Sequence, residues 1–242
     1  MLTFLGRLIR LPLRLVPDDR VVRIKSGRLR GWRWITGSAP HGCWIGTYER
    51  DSQRVFVENV REGDTVYDVG ANAGFFTLLA SKLAGPHAVV YAFEPLPRNV
   101  AYLERHVSLN ECRNVRVLPV AAAAKKGRAR FAIAHNPSQG GISDHGELEV
   151  ETRSLDDVVD GGAPPPRFMK IDVEGAESEV LTGASRILRE SQPTILLSTH
   201  GWKQHELCCA MLESEGYELR MMRDGTADGN YVLLATFPAS FS

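Results

Sequence analysis

Four cysteines among 242 residues are too few and too scattered to staple a fold. Cys43, Cys112, Cys208 and Cys209 form no CxxC pair, and no Cys/His cluster has zinc spacing. That excludes a disulfide-framed scaffold, gives no metal site, and reads as a reducing, cytoplasmic setting. Long apolar runs are also missing. The opening Met1–Pro12 is apolar but too short, and too broken by arginine, to span a bilayer. It has neither the uninterrupted apolar core nor the small-residue cleavage site of a signal peptide. No repeat or low-complexity tract stands out. Net charge is zero, from 29 basic and 29 acidic side chains.

What is there is ordinary in amount and uneven in placement. Hydrophobic residues make up 43% and charged residues 24%, enough to build a core in one large α/β domain with an appendage. Residues 1–33 hold nine basic side chains and only Asp18 and Asp19 as acids, a local charge of +7 that leaves −7 on the remainder. Arg7, Arg10 and Arg14 recur at helical spacing. This end is read as a short basic helix meeting something acidic. Candidates are the inner membrane surface through residues 1–17, nucleic acid, the body of its own domain, or a neighbouring subunit of a homo-oligomer. With the short strands and turns expected over 20–60, around Trp32, Trp34 and Trp44, residues 1–60 read as a cap on a main domain spanning 61–242.

From residue 64 short apolar runs alternate with helical stretches. The runs are Thr65–Val69, Ala88–Phe93, Val115–Val120, Phe168–Ile171 and Thr194–Ser198, nearly continuous in apolar character, as strands buried on both faces are. Helices are expected near 74–84, 96–109, 176–190 and 203–215. Alternation of this kind specifies a parallel, doubly wound sheet with right-handed crossovers. Glu218–Met222 and Tyr231–Thr236 flank a Gly-rich loop and read as a hairpin, which puts one strand antiparallel. An insertion over 128–153 has two alternating segments, Arg128–Ala134 and Glu147–Arg153, around a polar loop containing His135 and His145. Long polar loops on a rigid scaffold often meet substrate.

Three motifs fall at the carboxyl ends of predicted strands, where open α/β sheets bind ligands. In the first, Asp68 closes a strand and Gly70, Ala71, Asn72 and Gly74 follow, leading through Phe75 into a helix. Glycine admits close backbone approach, and the helix start adds amide donors. In the second, Glu94-Pro95 ends the next strand, where an acid accepts from both hydroxyls of a ribose. A dinucleotide site would need to hold a pyrophosphate beside Asp68, which a carboxylate repels. The same carboxylate suits the cationic end of S-adenosylmethionine. The third motif, Lys170-Ile171-Asp172-Val173-Glu174-Gly175-Ala176-Glu177, crowds ionisable groups at the end of a buried strand. A helix dipole explains Glu174 and Glu177 but not Lys170 and Asp172.

These stretches, with Trp44–Glu49 and Ser154–Asp157, resemble the FkbM family of methyltransferases over about residues 40–200. The resemblance implies the class I methyltransferase sheet, order 3-2-1-4-5-7-6 with strand seven antiparallel. It implies S-adenosylmethionine as donor, S-adenosylhomocysteine as product, and O-methylation of a sugar, polysaccharide or polyketide-like hydroxyl. One position departs: Ser198 stands where the family often has an acid, two residues before His200.

An aliphatic hydroxyl is a poor nucleophile until its proton is leaving, so a base is useful. His200 and Asp172 are the candidates, with Lys170 pairing Asp172 or Glu174 and keeping it ionised. Glu174, His135 and His145 are candidate contacts for a small-molecule or glycan acceptor. Glu49, after Tyr48, is placed to close over the cofactor, and Ala121–Ala123 leave room for adenine. The −7 body and the lack of an Asn-Pro-Pro-Tyr-like motif count against a nucleic-acid substrate. Retention of the fold as a non-catalytic binding module is the reading from a different class.

Overall fold

The computed structural model describes residues 16–133, 140–142, 146, 148–225 and 229–238. The basic N-terminal helix with its membrane contact, and the candidate substrate residues His135 and His145, lie outside the described residues.

The chain opens with a small hairpin, β1 (Val21–Arg23) and β2 (Arg33–Ile35), followed by α1 (Gly42–Ile45) and α2 (Arg50–Asn59). Next come β3 (Val66–Val69), α3 (Phe75–Ala84), β4 (Val90–Phe93), α4 (Pro97–Leu109) and β5 (Val115–Leu118). The insertion holds β6 (Ala121–Ala122), β7 (Gly127–Ile133), β8 (Gly140–Ile142) and β9 (Leu148–Arg153). Then follow α5 (Leu155–Asp160), β10 (Phe168–Ile171), α6 (Glu177–Thr182), β11 (Thr194–His200), α7 (Trp202–Ser214), β12 (Glu218–Asp224) and β13 (Asn230–Thr236).

The main sheet runs β5-β4-β3-β10-β11-β13-β12, parallel except for β13. In strand-count order this is 3-2-1-4-5-7-6, the class I methyltransferase arrangement that the family resemblance implies. Alternation along each strand feeds two cores. Val66, Phe168, Leu196 and Leu234 face one layer with Phe56 of α2 and Phe76 of α3. Tyr67, Met169, Ile195 and Leu233 face the other, with Val180 and Leu181 of α6 and Cys208 and Leu212 of α7. Phe56 packs between Phe76 and Phe168, tilted against the first and edge-on to the second, with ring centroids 4.9 and 4.8 Å apart. Truncating such a buried ring costs about 3–5 kcal/mol.

Three elements differ from expectation. The stretch 50–59 is a helix, not turns; Arg50-Asp51-Ser52-Gln53-Arg54 is polar, and only Ser52, Val55 and Phe56 are buried. The insertion is a four-stranded sheet, β6-β9-β7-β8, rather than one pair, because Ala121–Ala122 adds a parallel edge strand and β8 pairs inside the polar loop. The helix expected over 176–190 breaks at Gly183, where a Cβ would lie 2.1 Å from the Ala123 carbonyl oxygen. The Asp156 carboxylate then caps the restart by accepting from the Arg186 and Ile187 amides at 3.0 and 3.1 Å.

Among the described residues no helix is long and apolar enough to cross a membrane.

Candidate active site

β3 delivers Asp68 and Val69, and the chain then turns through Gly70 (φ +80°), Asn72 (φ +50°) and Gly74 (φ +93°) into α3. The two glycines are demanded by packing. A Cβ at Gly70 would sit 1.9 Å from the Asp172 carbonyl oxygen, and one at Gly74 would sit 2.4 Å from Leu103 Cδ1. The first glycine thus lets the tips of β3 and β10 close on each other. Glu94, at the tip of β4, holds the loop open. Its Oε2 accepts from the Asn72 amide at 2.8 Å and its Oε1 from the Leu96 amide at 2.9 Å. Burial raises its carboxyl above the ordinary range, against those amides and Asn99, which favour the charged form.

The loop walls a cleft of about 210 Å³. Gly70, Ala71, Asn72, Phe75, Glu94, Pro95, Ala121, Ala122, Lys170, Asp172 and Glu174 all line it. Gly74 instead caps α3 behind the lining. Asp68 does not line it either: it is fully buried, its Oδ2 accepts from Thr77 Oγ1 at 2.6 Å, and its Oδ1 is 4.0 Å from Lys170 Nζ. Its charge reaches the cleft through that lysine, and its Oδ1 lacks a hydrogen-bond partner. Trp34, Ala39, Pro40 and Cys43, from the N-terminal segment, form a further wall that the sequence reading did not assign. His106 fastens this wall to the loop. Its Nδ1–H donates to the Ala73 carbonyl at 2.7 Å, its Nε2 accepts from the Ile35 amide at 3.0 Å, and its ring stacks on Trp34 at 3.9 Å.

Lys170 is the buried cation of the site. It donates to Asp172 Oδ2 at 3.1 Å and lies 5.3 Å from the Phe76 ring centroid. Burial disfavours its charge, but Asp172, Asp68 and Glu49 raise it well above the ordinary lysine value, so the ammonium persists. Burial also raises Asp68, opposed first by Lys170. Glu49, expected to close over the cofactor, does not line this cleft; it lines a neighbouring cavity, in a left-handed conformation (φ +40°). The residue as a whole is exposed, but its carboxyl is crowded from water and raised, with Lys170 opposing and Asp172 adding to the shift. Burial raises Tyr48 beyond any neutral-pH ionisation, so its hydroxyl is a donor and not a base.

A second cavity, of about 290 Å³, opens beside the first and shares Tyr48, Asp172 and Glu174 with it. Glu49, Arg50, Asp51, Ser52, Ser198, His200, Arg223 and Asn230 complete its polar wall. His200 is held between carboxylates. Its Nδ1 is 2.7 Å from Glu177 Oε1, and its Nε2 is 3.4 Å from Glu174 Oε2 and 3.7 Å from Asp172 Oδ1. Burial pulls its pKa down, but the Glu177 hydrogen bond and the charges of Asp172 and Glu174 outweigh that and leave it raised. Glu177 reads in the sequence as a dipole-placed acid, and it is the first residue of α6.

A twisted sheet with one antiparallel strand, a glycine loop, a ribose-type acid and an adjoining polar cavity defines a class I methyltransferase. A family model for the methyltransferase FkbM domain matches residues 68–219, and the chain belongs to the FkbM family of S-adenosylmethionine-dependent methyltransferases. It is 30% identical to the hexuronic acid methyltransferase AglP of Haloferax volcanii, over 58% of this chain and 58% of that protein. It is 31% identical to the 31-O-demethyl-FK506 methyltransferase FkbM of Streptomyces tacrolimicus, over 51% of this chain and 60% of that one. The chain thus spans less than two thirds of either relative. Among solved structures, the methyltransferase FkbM from Methylobacillus flagellatus superimposes with a TM-score of 0.55 at 18% identity, covering 81% of this chain and 53% of that one. A SAM-dependent O-methyltransferase from Thermotoga maritima gives 0.54 at 12% identity, covering 93% and 80%.

Proposed function

We propose that this chain is an O-methyltransferase that acts on a hydroxyl of a sugar, polysaccharide or polyketide-like natural product. The observation that carries the reading is the junction of the two cavities at Tyr48, Asp172 and Glu174. One side suits a nucleoside-like donor and the other a polar acceptor. The names of the two relatives, a hexuronic acid methyltransferase and a 31-O-demethyl-FK506 methyltransferase, support the same acceptor chemistry.

The residues fit the donor. Glu94 keeps lone pairs for ribose hydroxyls beyond the amides that it already accepts. Ala121 and Ala122 leave a flat, small-residue surface for adenine. The loop Gly70–Ala73 and the carboxylates of Asp172 and Glu174 suit a methionine end that bears an ammonium and a sulfonium. When bound, S-adenosylmethionine supplies an electrophilic methyl group. The chain's own contribution is to orient the acceptor and to take its proton. Holding two reactants in line is worth on the order of 7–11 kcal/mol at best. Asp172, paired with Lys170, orients the hydroxyl, and His200 Nε2 accepts its proton.

The test is calorimetry with S-adenosylhomocysteine, followed by a screen of glycosides, uronates and polyketide alcohols with labelled donor and mass analysis of the products. Methyl ethers are expected. Absence of S-adenosylhomocysteine binding, or methylation confined to amines, would overturn the reading.

A further inference from the structure

Glu177 is fully buried, yet it does not line either cavity. Its Oε1 accepts from the Gly175 amide at 2.9 Å and faces His200 Nδ1 at 2.7 Å. Its Oε2 is buried without a hydrogen-bond partner. Among the described residues His200 is its only ion-pair partner. A carboxylate buried this way is costly unless a cation or a strong donor meets it.

We propose that Glu177 is the positioning residue for His200: it holds the Nδ1 proton and turns a proton-free Nε2 toward the acceptor cavity. The proposal rests on the O-methylation reading above. A histidine's free nitrogen is set by what the other nitrogen bonds to, and a carboxylate on Nδ1 fixes the Nδ1–H form. On Nε2 the neighbours are Glu174 and Asp172, both walls of the cavity junction. As the acceptor oxygen takes the methyl group, the methyl–sulfur bonding pair stays on sulfur and the hydroxyl proton passes to Nε2. The imidazolium then formed is the counter-ion that the buried Glu177 carboxylate otherwise lacks. That favours the charge-separated moment of the reaction over its start, which is where stabilisation accelerates.

Several other groups bear on this titration. Glu49, Arg50 and Asp51 from the start of α2 and Arg223 from β12 share the cavity with His200. From α7, Cys208 packs near Glu177, and Gln204 donates to the Gly175 carbonyl at 2.7 Å. These remain when Glu177 is changed, so its share can be isolated.

The test needs no acceptor. In the full chain labelled with ¹⁵N-histidine, long-range proton–nitrogen spectra report tautomer and pKa, with His200→Gln assigning the resonance. The wild type is expected to show a neutral His200 protonated at Nδ1, titrating above the ordinary value of about 6.5. Glu177→Gln is expected to lower that pKa by about one pH unit and to erase the Nδ1–H preference. Glu177→Asp is expected to restore part of both. Calorimetry with S-adenosylhomocysteine shows whether each variant keeps its fold. A wild-type His200 protonated at Nε2 overturns the proposal without any variant, and so does an unmoved titration in a Glu177→Gln protein that binds S-adenosylhomocysteine. Failure to methylate any alcohol would instead count against the acceptor reading and leave this result standing.

Discussion

The two cavities meet at Tyr48, Asp172 and Glu174 but are made of different material. The donor cleft is largely backbone and apolar surface: the loop Gly70–Ala73, Phe75, Pro95 and the Ala121–Ala122 edge, with Glu94 as its main polar clasp. The second cavity is largely side chains, with six charged residues and His200 among them, brought from α2, the tip of β10, β11, β12 and β13. A site made of backbone tolerates no change of shape. A site made of charges tolerates shape changes but is sensitive to protonation. Four expected outcomes sharpen or break that contrast.

The largest concerns the backbone side. Gly70→Ala puts a Cβ against the Asp172 carbonyl at a positive φ. It is expected to cost at least about 3 kcal/mol and to abolish S-adenosylhomocysteine binding. Thermal unfolding and calorimetry check it; a variant with normal stability and affinity would break the contrast. On the charged side, Asp172→Asn is expected to lower turnover by about 10²–10⁴-fold while S-adenosylhomocysteine affinity survives within about tenfold. Steady-state rates on an identified acceptor decide it, and unchanged turnover would remove Asp172 from the chemistry.

Next is the wall that the N-terminal segment adds to the donor cleft. Burial pushes His106 down to about 4, although its contact with the Ala73 carbonyl opposes the shift. The unfolded chain takes up that proton near pH 6.5, so it binds more protons than the folded chain between about 6.5 and 4. Stability is therefore expected to fall by about 3 kcal/mol as pH drops through that window, and to level off below it. Denaturation of wild type and His106→Gln from pH 7 to 4 isolates this share; parallel curves would exclude it. The smallest effect is expected for Glu94→Gln, which keeps the shape and loses the charge. S-adenosylhomocysteine affinity is expected to fall about 10–100-fold, as for loss of a charged hydrogen bond. An unchanged dissociation constant would show that the cleft needs no acid at the ribose.

The same contrast explains what could be read from the sequence. The strands and the glycine loop were legible because their signals are local: five nearly continuous apolar runs, Gly70 to Ala73 in one stretch, and Glu94 at the next strand end; the order of the strands came from the family resemblance. The four-stranded insertion was half legible, since Arg128–Ala134 and Glu147–Arg153 alternate visibly but Ala121–Ala122 does not announce an edge strand. Helix α2 escaped because its first turns are polar and it buries only one narrow stripe. Trp34 and Cys43 stand apart from the glycine loop in sequence and reach the cleft through tertiary docking of the N-terminal segment on α4, by His106, Asn110 and Arg98. Glu177 escaped for a different reason: an acid in the first turn of a helix already has an explanation, and its burial against His200, 23 residues on, is a tertiary fact.

Around the junction and its polar cavity, the six acids Asp68, Glu49, Asp51, Asp172, Glu174 and Glu177 outnumber the four bases Lys170, Arg50, Arg223 and His200, even with the histidine protonated. A wall with that surplus of negative charge grips a cationic guest more tightly than a neutral one of the same shape. The methyl donor gives up its sulfonium charge in the very act of transfer. That surplus is therefore expected to favour the charged sulfur of the fresh molecule over the neutral sulfur of the spent one.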